Sequence, residues 1–600
     1  MSNSKWKGSI PYEKGCRFAV WAPNADEVFV VGDFNKWQAT TNPMTKDEKG
    51  WWSNDVVGAK PGDEYRYRIM NAGTEYFRID PYALQVTNSA GNAIIVEPQA
   101  IAKEQNFSPP TLNEMVIYEL HIGTFGKQGA APKPGDVEGV ISRLTYLKEL
   151  GINAIEVMPP AEFAGSFSWG YNPSNIFAVE SAYGTPDQFR KFVEEAHKLE
   201  IAVIVDVVYN HFGPGDLELW TFDGWSENEK GGIYFYNDWR SNTPWGDSRP
   251  DYGRNEVRDY IRDNALAWFQ EYGVDGLRWD MTAFIRNANG RDNDSHSDLP
   301  DGWSLMQWVN QEIREYKPLA LSIAEDLQKN PYITKAQEYG GAGFSAQWSA
   351  TFVHTIRRAL IEADDANRNM DSIRDAILQR YHLDAFERVI YTESHDEVSN
   401  GQARIPEEVD PGKASSWAAK KKSTLGAVLV FTAPGIPMIF QGQEFLEDDW
   451  FHDDDPIDWK KKDKFNGIHQ FYKDLIKLRL NHGGHSKGLT GQEVDVFHID
   501  QERKIIAWHR WASGGPSDSV VVVANFSSNP CADYLINLPA SGEWQVRLNS
   551  DAKVYDKDFG DVGIDLILAE TTETEGQPAQ AKINIAPYSA IVLSQGINEN

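Results

Sequence analysis

Cysteine is almost absent, with Cys16 and Cys531 alone in 600 residues. Two thiols cannot build a disulfide framework, and no CxxC pair exists to hold zinc. No run of about 18 apolar residues occurs, so no transmembrane helix is expected. The opening MSNSKWKGSIPYEKG has no apolar stretch behind its basic residues. A secretory signal is therefore not read, and a cytoplasmic setting is expected. Basic charge is also scarce, 58 Lys and Arg against 88 Asp and Glu for a net −30. Nucleic-acid binding draws on clustered cations, and so does docking on an anionic membrane; neither partner is expected. What is abundant is aromatic: 21 Trp, 24 Tyr and 28 Phe. Flat amphipathic rings on that scale suit a surface that handles sugars as well as ordinary cores.

The pattern changes twice along the chain. Residues 1–105 read as short alternating strands, among them CRFAVWAP, EVFVVGDF, GWWSNDVV and DEYRYRIM, broken by turns such as Pro61-Gly62. That spacing predicts an antiparallel β-sandwich, followed by a polar linker from Pro98 to Pro110. Residues 106–485 carry eight apolar runs: MVIYELHIG, INAIEVMPP, IAVIVDVVYNH, GVDGLRWDMT, LALSIAEDL, FSAQWSA, RVIYTESHD and IPMIFQGQEF. Helical stretches intervene, such as VEGVISRLTYLKEL and TPDQFRKFVEEAHKLE, the latter opening on a Thr cap and a Pro. Doubly buried strands alternating with helices predict an α/β fold, a (β/α)₈ TIM barrel. An excursion over about 161–186 is too long for an ordinary βα loop and is expected over the top of the barrel. From 486 to 600, VDVFHID, KIIAWHRWA, SVVVVANF and AIVLSQ predict a second β-sandwich.

Barrel enzymes project their reactive groups from the C-terminal ends of the strands. Here the third run ends DVVYNH (Asp206, Asn210, His211), the fourth GLRWD (Arg278, Asp280), the fifth AED (Glu325, Asp326) and the seventh ESHDE (His395, Asp396). Converging carboxylates are what glycoside cleavage requires, one to attack the anomeric carbon and one protonated to release the leaving oxygen. Asp280 lies two residues from Arg278 on one strand face, which favours its charged form and the role of nucleophile. Glu325 follows the apolar LSIA, where desolvation suits a general acid. His211 and His395 are expected to donate hydrogen bonds to sugar hydroxyls. His354 reads as an ordinary polar-face histidine, and among Trp37, Trp51 and Trp52 core packing is expected for at least one.

These four segments in this order resemble the four conserved regions of the α-amylase superfamily, glycoside hydrolase family 13. FAVWAPNADEVFVVGDFNKW with GDEYRYRI is similar to the amino-terminal starch-binding-like module of several of its members. The resemblance implies Asp280 as nucleophile, Glu325 as general acid/base, Asp396 as transition-state stabiliser and Tyr171 in SFSWGYNPSNIF as a stacking ring. It implies a retaining reaction through a covalent β-glucosyl intermediate, with the reacting carboxyls about 5 to 5.5 Å apart. Asp206 is expected either to shape the nucleophile's surroundings or to serve the scaffold. No cofactor is implied; a calcium ion through Asn210 is the single candidate metal, and FHDDDP (451–456) reads as solvated or sugar-contacting. The expected activity is an amylase-type hydrolase on α-1,4-glucans. SHDEV favours branching members of the family, the first alternative. DVVYNHFGP with TPWGD resembles trehalose-releasing members, the second. A dead, glycan-binding barrel would have lost its carboxylates, and a metal hydrolase would need clustered His.

Overall fold

The computed structural model describes residues 7–97, 107–127, 133–563, 566–572 and 578–596. Most of the expected linker and part of the polar loop TTETEGQPAQAK lie outside these residues. Eight strands close into one barrel in chain order: β1 (Ile117–Leu120), β2 (Ala154–Val157), β3 (Ala202–Val207), β4 (Gly276–Trp279), β5 (Leu321–Ala324), β6 (Ala346–Trp348), β7 (Arg388–Ile390) and β8 (Ile436–Phe440). Each corresponds to one of the eight apolar runs. Every residue of these strands is buried, which is why they read as continuous apolar runs and not as alternation.

The chain packs as two compact units, one of residues 1–109, 121–144 and 156–345, the other of 110–120, 145–155 and 346–600. In the first, the amino-terminal strands form two four-stranded sheets. Their core holds Phe18, Val20, Tyr65 and Tyr67 around a buried carboxylate, Asp80. Asp80 accepts from Tyr65 (2.7 Å) and Tyr67 (3.0 Å) and from the Tyr82 amide (2.9 Å), yet burial still pushes it up to about 6. Trp51 and Trp52 pack inside, whereas Trp37 stays exposed with its indole N–H on Asp33 (2.9 Å). The module is fastened to the loop after β3 by Arg78, which donates to the carbonyls of Phe222 (2.9 Å) and Thr221 (3.0 Å). Asp223 returns the contact, accepting from the Asn24 amide at 2.8 Å.

The excursion after β2 is a two-stranded hairpin, Ala161–Phe163 against Pro173–Val179, followed by a helix over Pro186–Lys198. Thr185 caps that helix in a reciprocal box with Gln188, as the Thr-Pro start predicts. Two fully buried carboxylates, Glu162 and Glu180, tie the hairpin together through backbone amides. Ser181 N–H donates to Glu162 (2.7 Å), and Phe163 (3.1 Å) and Ala182 (2.9 Å) donate to Glu180. Burial, with the Glu180 charge added, pushes Glu162 up to about 8; burial pushes Glu180 up to about 7. Both folded values lie above the unfolded value near 4.3, so the stability they contribute is complete at low pH and drains as pH rises through 7 to 8. Wild-type Tm is therefore expected to fall between pH 6 and 8.5. Glu162→Gln keeps an acceptor for Ser181 and should lose about half as much Tm over that interval. Parallel wild-type and variant slopes in thermal melts would refute the assignment.

In the second unit the carboxy-terminal strands form an eight-stranded sheet that curls round one core of Val521, Val523, Trp544, Ile583 and Leu593. It is joined to the barrel helix Trp417–Thr432 by two of three consecutive lysines. Lys421 Nζ meets Asp551 at 2.6 Å, both fully buried, and Lys420 reaches Asp556 and Asp558 at 2.7 Å each. Lys422 donates to the Glu362 carbonyl (2.9 Å).

Candidate active site

Register brings the first set of candidate residues together. Asp206 of β3 pairs with Arg278 of β4, and Val207 with Trp279. The next amides continue the ladder, Asp280 N–H to Val207 (3.0 Å) and Glu325 N–H to Trp279 (3.0 Å). Asp280 and Glu325 therefore stand one residue beyond adjacent strand ends. Because side chains alternate along a strand, Arg278 and Asp280 share a face and Trp279 takes the other. Trp279 packs edge-on against Tyr209 and Phe344, so its bulk is spent away from the carboxylates.

Arg278 is the hub. Its guanidinium is fully buried and reaches three carboxylates: Asp206 at 2.7 Å, Asp280 at 3.1 Å and Glu325 at 2.8 Å. Tyr171 donates its hydroxyl to Asp206 at 2.5 Å and lies under the Arg278 cation, 5.6 Å from the ring centre. The loop bearing Tyr171 is pinned by His121, whose Nε2 lies 2.9 Å from the Ser168 carbonyl. Glu325 accepts a further bond from the Met281 amide (3.0 Å). That amide points at Glu325 because Met281 sits in the left-handed region, φ 37°, strained for a non-glycine residue and placed beside the two candidate carboxylates. Next in line, Asp326 is held in a fork by Arg286 at 2.8 and 2.7 Å, an ion pair that fixes the strand end.

Proximity to Arg278 does not lower the Asp280 pKa, as its sequence position suggested. Burial, followed by the Glu325 charge, holds its carboxyl well above the usual range. One guanidinium divided over three carboxylates does not offset the loss of water. Asp280 consequently holds a proton more readily than an exposed carboxylate does. Asn210, left between structural and calcium roles by its motif, donates its side-chain amide to the second Asp280 oxygen at 2.8 Å. Its carbonyl oxygen meets His211 Nδ1 at 2.6 Å. Both ends of that amide are thus engaged inside the protein. Among the described residues no cluster of three or more His, Cys, Asp or Glu is disposed to hold a metal. Burial pushes His211 down to about 4, so its ring is neutral in ordinary buffers. Trp245 of the TPWGD motif covers that ring, stacked at 4.6 Å.

The β7 end is organised separately. His395 Nδ1 lies 2.5 Å from Glu119 of β1, and the His395 amide donates to the same carboxylate at 3.2 Å. Its other nitrogen, Nε2, lies 3.5 Å from Asp396. Asp396 itself is 49% exposed along its side chain, so the high cost of a buried carboxylate applies to Asp280 and Glu325 and not to it. Glu397 is met by His354 (3.0 Å) and approached by Arg357 (3.8 Å), and His354 keeps the exposed polar-face position expected of it.

Over residues 88–240 and 217–525 the sequence matches the family described as alpha amylase, catalytic domain. The chain belongs to the α-amylase family. Residues 5–83 match carbohydrate-binding module 48 (isoamylase N-terminal domain), and 498–596 match the alpha amylase C-terminal all-beta domain. Among curated relatives of this α-amylase family chain is the 1,4-alpha-glucan branching enzyme GlgB of Oceanobacillus iheyensis. It is 30% identical over 577 residues, covering 91% of this chain and 87% of that one. GlgB of Salinibacter ruber is 29% identical over 98% of this chain and 96% of its own. In fold, the chain resembles a pullulanase from Anoxybacillus sp. LM18-11 solved with maltotriose, at TM-score 0.77 and 21% identity. That match covers 99% of this chain and 86% of the other. No described helix is long and apolar enough to cross a membrane.

Proposed function

We propose that this α-amylase family enzyme is a 1,4-α-glucan branching transferase working through a retained glucosyl intermediate, in the cytoplasm. The observation that carries the chemistry is the Arg278 fork, which holds Asp280 and Glu325 on adjacent strand ends while Asn210 fixes the second Asp280 oxygen. The choice of transfer over hydrolysis draws on the GlgB relatives and on the Ser394-His395-Asp396-Glu397-Val398 segment.

In this mechanism Glu325 is the proton donor and Asp280 reacts as the carboxylate, because developing positive charge at the anomeric carbon favours an ionised Asp280. Glu325 protonates the leaving glycosidic oxygen and Asp280 attacks the anomeric carbon, forming a β-glucosyl ester. Glu325, now ionised, takes the proton from an acceptor 6-hydroxyl, whose oxygen displaces Asp280 and forms an α-1,6 bond. Asp396 and His395 receive hydroxyls of the reacting sugar, the roles that the family's fourth region implies for them. Tyr171 offers its ring face to that sugar.

Incubation with amylose, followed by proton NMR and a reducing-end assay, tests this. New α-1,6 signals at constant reducing ends are expected. A rise in reducing ends without α-1,6 signals would make the enzyme a hydrolase. Free trehalose from maltooligosyl trehalose would make it a trehalose-releasing enzyme.

A further inference from the structure

Residues 164–172, which join the two strands of the hairpin after β2, form no helix or strand of their own. Gly165, Ser166 and Phe167 stand in water, so burial does little to hold this loop. Tyr171 within it nevertheless keeps its hydroxyl on Asp206 at 2.5 Å and within 3.3 Å of Arg278. Polar contacts supply constraint, and they converge on Ser168. The Ser168 hydroxyl donates to the Asn172 side-chain carbonyl and accepts from the Gly170 amide (3.0 Å). It therefore bridges the residues on either side of Tyr171. The Ser168 carbonyl lies 2.9 Å from His121 Nε2 and accepts from the Tyr183 hydroxyl at 3.4 Å.

His121 and Tyr183 are themselves buried, with the Tyr183 hydroxyl 2.8 Å from His121 Nε2. A carbonyl can only accept, so the His121 proton resides on Nε2 and points at Ser168. Nδ1 then accepts from the Thr124 hydroxyl at 3.2 Å, which fixes tautomer and ring orientation together. Gly123 makes room for the pair. A Cβ there would stand 2.8 Å from His121 Cε1 and 3.3 Å from the Tyr183 hydroxyl. Gly170 does the same for the loop, with φ 94° and space for a Cβ closed by the Pro159 carbonyl at 2.2 Å. The contacts thus run from a buried imidazole, through one serine, to both neighbours of Tyr171.

We propose that His121, with Tyr183 beside it, is a positioning residue for the reaction. Acting through Ser168, it presets Tyr171 against Asp206 so that the ring face is in place before the sugar arrives. Without that bond, residues 164–172 would have to be ordered each time a glucan binds, at a cost in conformational entropy. The proposal rests on the α-glucan reading of the site and on Tyr171 as its sugar-facing ring.

A double-mutant cycle on amylose kinetics in the full chain tests it. His121→Ala is expected to lower kcat/KM about tenfold, mostly through KM, because the ring meets the sugar in ground and transition states alike. His121→Gln carries an N–H near the Nε2 position and should recover most of that loss. In a Tyr171→Ala background, His121→Ala should change kcat/KM by less than about twofold, since the ring it positions is gone. Tyr183→Phe removes one hydroxyl and should raise KM about threefold; run through the same cycle, it reads the coupling should H121A fail to fold. Wild-type KM in H121A, no recovery in H121Q, or full additivity with Y171A would overturn the positioning role. Wild-type kinetics in Y171A would instead overturn the sugar-facing reading of that ring, and a wild type inert on amylose would overturn the α-glucan reading.

Discussion

Asp280→Asn lowers turnover of amylose by about 10⁴-fold or more, the scale seen when a covalent nucleophile is removed from an otherwise intact site. The Asn side chain is isosteric, but its NH2 must face a donor, Arg278 or Asn210, so the loss adds one broken hydrogen bond to the missing nucleophile. Asp280→Ala leaves room for a small anion at the vacated position. Azide there attacks the anomeric carbon while Glu325 protonates the leaving oxygen, and the product is a β-glucosyl azide. Detecting that inverted product by mass spectrometry and NMR identifies Asp280 as the nucleophile. Glu325→Ala behaves differently. It fails on amylose but still forms the glucosyl ester from α-maltosyl fluoride, because fluoride departs without an acid. Equal activity of E325A on the two substrates would remove Glu325 from the general-acid role.

Arg278→Met has the second large effect, on stability as well as rate. It leaves Asp206, Asp280 and Glu325 buried without their cation, and breaking a buried pair in this way costs about 3–5 kcal/mol near neutral pH. The Asp280 carboxyl is already held up by burial, and losing Arg278 removes a group that lowers it. Its folded value then rises further above the unfolded one. Stability from the protonated form is full at low pH and drains as pH rises, so the deficit of R278M should shrink between pH 8 and pH 5. Arg278→Lys restores one charge but not the fork, and should fall between the two in thermal melts. A deficit independent of pH would show that packing, and not the carboxylates, depends on Arg278.

Much of this site was readable from the chain because parallel barrel strands are buried on both faces. DVV, GLRW and LSIA are legible as apolar runs, and the first carboxylates after them fall at the strand ends. The weakest run, FSAQWSA, yields only the three-residue β6, which needs few apolar residues to be buried. VEGVISRLTYLKEL reads as one helix and folds as two, Val137–Ile141 and Leu144–Leu150. There the Ser142 hydroxyl (2.7 Å) and Arg143 (3.2 Å) both compete for the Gly139 carbonyl that a continuous helix would use. Long-range partners were not readable. Glu119 meets His395 across 276 residues, and the Asn210 amide finds Asp280 across 70; no local pattern encodes either. The protonation of Asp280 was misjudged for a related reason: one Arg nearby in sequence is shared in space by three acids.

The lysines of the Trp417–Thr432 helix bear on modularity. Sequence boundaries invite treating the carboxy-terminal sheet as a detachable appendage, to be trimmed near residue 485 when a minimal barrel is wanted. Lys421 argues against that. Its ammonium is neutralised inside the protein by Asp551 alone, and Lys420 depends on Asp556 and Asp558. Truncation would bare the apolar face beneath the sheet and strip three counter-charges from one helix of the barrel wall. Residues 346–485, which carry the last three barrel strands, and the carboxy-terminal sheet thus stand or fall together within one compact unit.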